Sequence, residues 1–449
     1  MASAQDIPTD HRLATATDDE AERSYDTRPG FDARLAEATK RRLKRRAQQT
    51  LRAALAGVGR LTAGMNAGTK DDAIQRILVV RVDLLGDVVL SLPAVRALKR
   101  AYPEAQIDML VLHSTAPILH AEPEVANVLT FDPGVWRRPG GLLRRKTWRD
   151  TLAMVREMRE AHYDLAISIS GDIGSILTRL SGAHRRFGYA NEAYRGFLTD
   201  PLPGGRYAAH QHEVQYVLAL ARAAGGLVVA GDEQLKLHVQ PDATLVVGDR
   251  LRAWRAQTGL RGPLVAIHAG ARNGQAKRWP PAHIATLADR LVTELDAVVV
   301  LTGAPSEAPL ARTILRRTWR PVLNMTGKTS IPELVALLAA SDVVVTGDSG
   351  PMHIACAVGT PVVALHGPTD PAISGPTAPD AIVLRHHLWC APCYDASATA
   401  ECRFSNPVCM KRIAPGMVFA AVRRQLALHE RRSHPAEETK SHATFASPS

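Results

Sequence analysis

The sequence predicts two consecutive doubly wound α/β domains facing a cleft, and three observations carry that reading. The chain has 449 residues, too many for one core at roughly 150 residues per domain. Apolar strand-like runs alternate with helical runs over most of its length, the pattern of parallel sheets covered on both faces. That alternation starts afresh after a polar passage near the middle. Apolar residues at 46 % and charged residues at 22 % suit a soluble globular protein. A formal net charge of +11 favours anionic partners, whether nucleotides, phosphorylated glycans or acidic membrane surfaces, without choosing among them. No run of ~18 apolar residues reads as a membrane span, and the opening MASAQDIPTDHR has no signal-peptide core. A cytoplasmic location is expected.

Residues 1–31 carry seven acidic against three basic side chains, and residues 32–60 nine basic against two acidic. The first stretch is expected to be a disordered arm. The second reads as a basic, weakly amphipathic helix that either faces water or lies on anionic lipid, so that residues 1–70 stand outside the domains. From Ile77, ILVVRV is a buried parallel strand, followed by the turn DLLGD and a helical run that stops near Pro103. Residues 107–111, 127–131 and 164–170 repeat the strand signal within a first domain over 75–245. Among them RRPGGLLRRKTWR, residues 137–149, reads as a basic surface loop that either faces water or borders an anionic acceptor. Residues 242–262 read as a polar link. A second domain over 262–430 follows, with strands at LVAIH (264–268), AVVVLTG (297–303), DVVVTG (342–347) and PVVALHGP (361–368). Their carboxyl ends lie where α/β sheets bind ligands. Residues 431–449 are expected to form a disordered tail.

Three turns carry residues able to do chemistry. In Leu85-Gly86-Asp87 the glycine allows a tight turn and places Asp87 at the mouth of the cleft. A carboxylate there suits a general base that removes the proton of an attacking hydroxyl. It equally suits the N-terminus of the helix it opens, and Asp83 competes for the same role. Asp348, Ser349, Gly350 and His353 follow the strand DVVVTG. The helix start and the Ser349 hydroxyl can take a diphosphate, the Asp348 carboxylate suits sugar hydroxyls, and His353 can contact either. The alternative makes Asp348 and Ser349 caps and His353 a packed side chain. Lys277, in GARNGQAKRWPP, can neutralise a departing diphosphate as a metal ion does elsewhere, while Trp279 reads as packing.

The first turn, VDLLGD, is not the G-x-G-x-x-G of a dinucleotide-binding unit, and GKTS at 327–330 lacks the glycine that opens a phosphate-binding loop. Cys390, Cys393, Cys402 and Cys409 fall close together and suit a structural zinc, a local disulfide or packed thiols, with Cys356 apart.

The segments ILVVRVDLLGDVVLSLPAVRALK, AKRWPP and GDSGPMHIACAVGTPVVALHGPTDP, in that order between residues 77 and 422, together resemble glycosyltransferase family 9, whose best-known members are lipopolysaccharide heptosyltransferases. The resemblance implies a GT-B architecture of two Rossmann-like domains. The first would bind a glycan or glycolipid acceptor and the second a nucleotide-sugar donor, with the terminal helix packing back on the first. It also implies inverting transfer without a metal, with ADP-heptose as the donor. By motif position it puts the catalytic base on Asp87, the phosphate-binding lysine on Lys277, and donor contacts on Asp348, Ser349, Gly350 and His353. Thr302 and Gly303 would flank the nucleoside, and Met325 would line the base. Two other readings stay open: another nucleotide sugar with a different acceptor, and a catalytically silent glycan-binding module. No nucleic-acid partner is expected. The basic segment before Ile77 and the polar tail have no counterpart in compact members.

Overall fold

A computed structural model describes residues 73–433 apart from 139, 193, 206–209, 272–273, 394–400 and 403. The arm, the basic helix and the expected tail therefore lie outside the described residues, except that 431–433 of the tail continue the terminal helix. Two sheets organise the rest. In the first, β1 (Arg76–Arg81), β2 (Gln106–Val111), β3 (Asn127–Thr130), β4 (Leu165–Ser168), β5 (Arg185–Tyr189) and β6 (Asp200–Leu202) run in the order β3-β2-β1-β4-β5-β6, every neighbouring pair parallel. In the second, β7 (Leu264–His268), β8 (Val298–Thr302), β9 (Leu323–Asn324), β10 (Val343–Gly347), β11 (Val362–His366) and β12 (Ile382–Arg385) repeat that parallel order as β9-β8-β7-β10-β11-β12. The winding reverses between β1 and β4 and again between β7 and β10. At such a switch point the strand ends open a crevice where doubly wound sheets take ligands.

The helices that cover the first sheet include α1 (Leu85–Val89), α2 (Leu92–Ala101), α3 (Arg145–Glu160), α4 (Gly171–Ser181) and α5 (Glu213–Ala223). Those of the second half include α6 (Pro241–Thr258), α7 (Pro281–Leu295), α8 (Ala308–Leu315), α9 (Ile331–Ala340), α10 (Gly350–Ala357) and α11 (Pro415–Ser433). β1 shows why the centre of its sequence, Ile77 to Val80, is an unbroken apolar run. Ile77 and Val79 point into the core beneath α1, α2 and α5, and Leu78 and Val80 into a second core with Met154 and Met158 of α3. The larger core does not stop between the halves: Leu338 of α9 and Met352 and Ile354 of α10 join Val88 and Leu92 in it. Among the described residues no helix is long and apolar enough to cross a membrane.

Three expectations are corrected. The polar link is a helix, α6, because Ala243, Val247 and Leu251 recur at four-residue spacing and bury one narrow stripe. It opens on Pro241 and ends where Gly259, at φ 76°, turns its N–H back to Arg255 O at 2.8 Å. The basic stretch 137–149 is not one loop: a 3-10 turn spans Gly141–Leu143, and α3 starts at Arg145. The terminal helix α11 packs on the second half, not the first: Val418, Phe419 and Val422 share a core with Leu287 and Leu291 of α7, and Gln425 Nε2 donates to Val362 O at 3.1 Å.

Candidate active site

β1 ends on Arg81, and its side chain organises the first half of the site. The guanidinium is fully buried. Nη1 donates to Ile169 O at 3.0 Å beyond β4, and Nη2 donates to Asp87 Oδ1 and to Glu213 Oε1, both at 3.0 Å. Nε lies 3.3 Å from Asp83 Oδ2. Asp87 sits in the first turn of α1, where its Oδ2 accepts the Leu84 N–H at 3.2 Å. It thus serves the helix start, as its position alone suggests, and keeps a side chain 29 % exposed at the strand end. Asp83 lies on the same guanidinium, so one cation holds both competing carboxylates.

The second half builds its cluster at the ends of β7 and β10. Lys277 Nζ donates to Asp348 Oδ2 at 2.8 Å, with both side chains largely buried. Burial disfavours the charged carboxylate of Asp348, but Lys277, His366 and His353 outweigh it and hold that group below the usual carboxylate range. His353, on the first turn of α10, is pushed down to about 4, chiefly by burial, with Asp348 opposing and His212 and His366 adding to the effect. Burial likewise lowers His366, one of whose nitrogens is 3.2 Å from Thr369 Oγ1. Ser349 Oγ is engaged with Thr346 Oγ1 at 2.9 Å and donates to Gly347 O at 3.2 Å. Pro351 has no N–H and that of Met352 turns to Ser349 O at 3.0 Å, so the helix start offers an anion fewer donors than its sequence suggests.

Two glycines bring the halves into contact. A Cβ on Gly86 would lie 2.9 Å from His353 Cδ2 and 3.0 Å from Gly350 Cα, and one on Gly350 would lie 3.1 Å from Gly86 N. Only bare backbone lets α1 and α10 approach this closely. His212, at the start of α5, crosses the same boundary: its Nδ1 accepts the Val214 N–H at 3.3 Å, which leaves Nε2 to donate to Gly375 O at 3.1 Å. Glu213, paired with Arg81, also acts on His353. Two charge clusters therefore face each other where α1 meets α10: Asp83, Asp87 and Glu213 on Arg81, and Asp348 on Lys277. Arg81 and Glu213 are absent from the sequence reading. The one signal for Arg81 is a charged residue that closes its strand directly after the apolar run Ile77 to Val80.

The model of glycosyltransferase family 9 (heptosyltransferase) matches residues 151–403. Lipooligosaccharide heptosyltransferase 2 of Haemophilus influenzae is 32 % identical over 327 residues, covering 69 % of this chain and 88 % of the relative. The chain belongs to glycosyltransferase family 9. Lipopolysaccharide heptosyltransferase 2 of Salmonella typhimurium is 31 % identical over the same shares of the two chains. The solved structure of E. coli ADP-heptose lps heptosyltransferase II superposes with a TM-score of 0.61 at 27 % identity, covering 79 % of this chain and all of that one. The GT-B architecture follows, and the protein is a glycosyltransferase.

The transferase places its other expected site residues unevenly. Thr302 ends β8 with its hydroxyl buried and without a hydrogen bond, and Gly303 follows it. Met325 is 2 % exposed within the second core. Trp279 is buried, with Nε1 donating to Ile413 O at 2.8 Å. Glu307, not singled out from the sequence, accepts the Ala304 N–H at 2.8 Å and packs so closely on Gly270 that a Cβ there would fall 1.7 Å from its Oε1. Cys390, Cys393, Cys402 and Cys409 line one cavity of about 450 Å³ together with Trp389 and Phe404. They do not fall among the described groups whose donor atoms lie close enough to share a metal ion. Among the described residues that grouping occurs at Glu122, Glu124 and His238, where Arg96 already pairs with both glutamates at 2.9 and 3.6 Å.

Two stability results are expected of this site. Arg81→Met leaves Asp83, Asp87 and buried Glu213 without their shared cation and should destabilise the fold by about 3–5 kcal/mol, read by urea unfolding. His353 has a folded value of about 4 against 6.5 in the unfolded chain. Between those values the unfolded chain binds a proton that the folded one does not. Stability should therefore be complete above pH 6.5 and fall as the pH drops towards 4, His353 contributing about 3 kcal/mol of that loss. His353→Gln should flatten the dependence in that window.

Proposed function

We propose that this transferase moves heptose from ADP-heptose to a lipopolysaccharide-core acceptor, inverting the anomeric carbon and using no metal. The observation that carries the reading is the contact of Gly86 with Gly350 and His353, which sets the strand end bearing Asp87 against the strand end bearing Asp348 and Lys277. Asp87 takes the proton of the acceptor hydroxyl as its oxygen attacks the anomeric carbon. The bond from that carbon to the diphosphate oxygen breaks on the opposite side, and the negative charge that develops there meets Lys277 and the backbone of Ser349 and Gly350. Lys277 is paired with Asp348 in the protein alone, so a bound diphosphate shares or takes over that ammonium while the carboxylate turns to sugar hydroxyls. Neutral His353 can donate or accept toward the donor at any pH well above 4. Glu307 and the Thr302 hydroxyl, at the end of β8, suit the ribose. The names of the relatives supply the heptose and the acceptor class. Such an acceptor is lipid-borne, which puts the enzyme in the cytoplasm at the inner face of the membrane.

The test is incubation of the purified protein with heptose-deficient lipopolysaccharide core and a panel of ADP-, UDP- and GDP-sugars, with and without a chelator. Acceptor-dependent release of ADP from ADP-heptose, unaffected by the chelator, is expected. Release of a different nucleotide would give the donor to another sugar, and loss of activity with the chelator would overturn metal independence.

A further inference from the structure

We propose that the start of α3, with the turn before it, is a docking surface for an anionic lipid bilayer. Three large apolar side chains there face solvent: Leu143 is 88 % exposed, Trp148 48 % and Leu152 62 %. They are not spare core residues. α3 already buries Thr147, Met154 and Met158, the two methionines against the first sheet, so Trp148 and Leu152, four residues apart, form a second apolar stripe on its outer side. Trp136 meets Trp148 edge-on at 4.6 Å and holds its ring in place. Arg144, Arg145, Lys146 and Arg149 surround the stripe, all exposed. Asp150 pairs with both Lys146 and Arg149, which leaves the cations in clear excess. A Trp and two Leu side chains amid Arg and Lys have the composition of an interfacial helix: the apolar groups enter the boundary of headgroups and acyl chains, and the cations meet anionic headgroups.

The position of the surface in the fold gives it a use. β3 is parallel to β2 and β2 to β1, so the chain leaving β3 towards α3 emerges at the same sheet edge as Asp87. A bilayer resting on this surface borders the side of the cleft assigned to the acceptor. That use rests on the lipid-borne acceptor of the proposed function; the exposed stripe and its charge do not.

The experiment floats the full-length protein with vesicles of phosphatidylcholine alone and with about one third phosphatidylglycerol. Binding to the anionic vesicles alone is expected, and the combined variant Leu143→Ser, Trp148→Ser, Leu152→Ser should bind them at least about tenfold more weakly with its affinity for ADP unchanged. Brominated acyl chains should quench a component of the fluorescence that disappears in Trp148→Phe. Undiminished binding of the triple variant, equal binding to neutral vesicles, or bound protein with Trp148 unquenched would overturn the proposal, the last because the contact would then be made elsewhere in the chain. Should the triple variant fail to bind ADP, the quenching decides alone, since it uses the unaltered surface. Failure of the unaltered protein to bind ADP would count against the proposed function and leave the vesicle result standing.

Discussion

Asp87→Asn is expected to lower turnover by about 10²–10⁴-fold, the usual contribution of a positioned general base, without unfolding the protein. An amide can still accept the Leu84 N–H, and Arg81 keeps Glu213 and Ile169 O as partners. The loss should appear in the rate of ADP release at saturating donor, with the thermal midpoint close to that of the parent. Asp83→Asn is the necessary companion, because Asp83 shares the same guanidinium. A full loss there with Asp87→Asn still active would move the base four residues back along the chain.

Lys277→Ala should be the most damaging single change in the second half, for two separable reasons. It strands the Asp348 carboxylate, 8 % exposed, with its closest cation gone, and removing one partner of a buried pair costs about 3–5 kcal/mol. It also takes away the charge that meets the leaving diphosphate, worth about 10²-fold or more in rate. Combining Lys277→Ala with Asp348→Asn separates the two effects. The double variant should recover much of the stability in urea unfolding, because no buried charge is left unmatched, and should recover none of the rate. Recovery of the rate would show that the lysine serves only to neutralise Asp348.

The strands legible in the sequence were those buried on both faces, such as ILVV of β1 and the valine runs of β8 and β10, where no polar residue interrupts the signal. β5 opens on Arg185 and Arg186, β6 contains Pro201 at the edge of its sheet, and β9 has two residues, so each lacks the apolar run that announces a strand. The site divides in the same way. Asp87, Lys277 and Asp348 stand at turns after strong strands and could be picked out one by one. Their partners could not, because Arg81 meets groups 88 and 132 residues away and Lys277 meets one 71 residues away. Pairing at that distance is set by the winding of two sheets, and no local pattern records it. The same limit explains why Lys277 and Asp348 read as separate donor contacts when in the folded protein each neutralises the other.

The central claim is a division of labour, with the donor held by the second half and the base supplied by the first. Calorimetric titration of ADP into the unaltered protein, Asp87→Asn and Lys277→Ala tests it most directly. The account predicts affinity within about twofold of the parent for Asp87→Asn, which touches no donor phosphate, and at least about tenfold weaker binding for Lys277→Ala, which loses a charge-assisted contact. Equal affinity in all three, or weaker binding in Asp87→Asn alone, would contradict it.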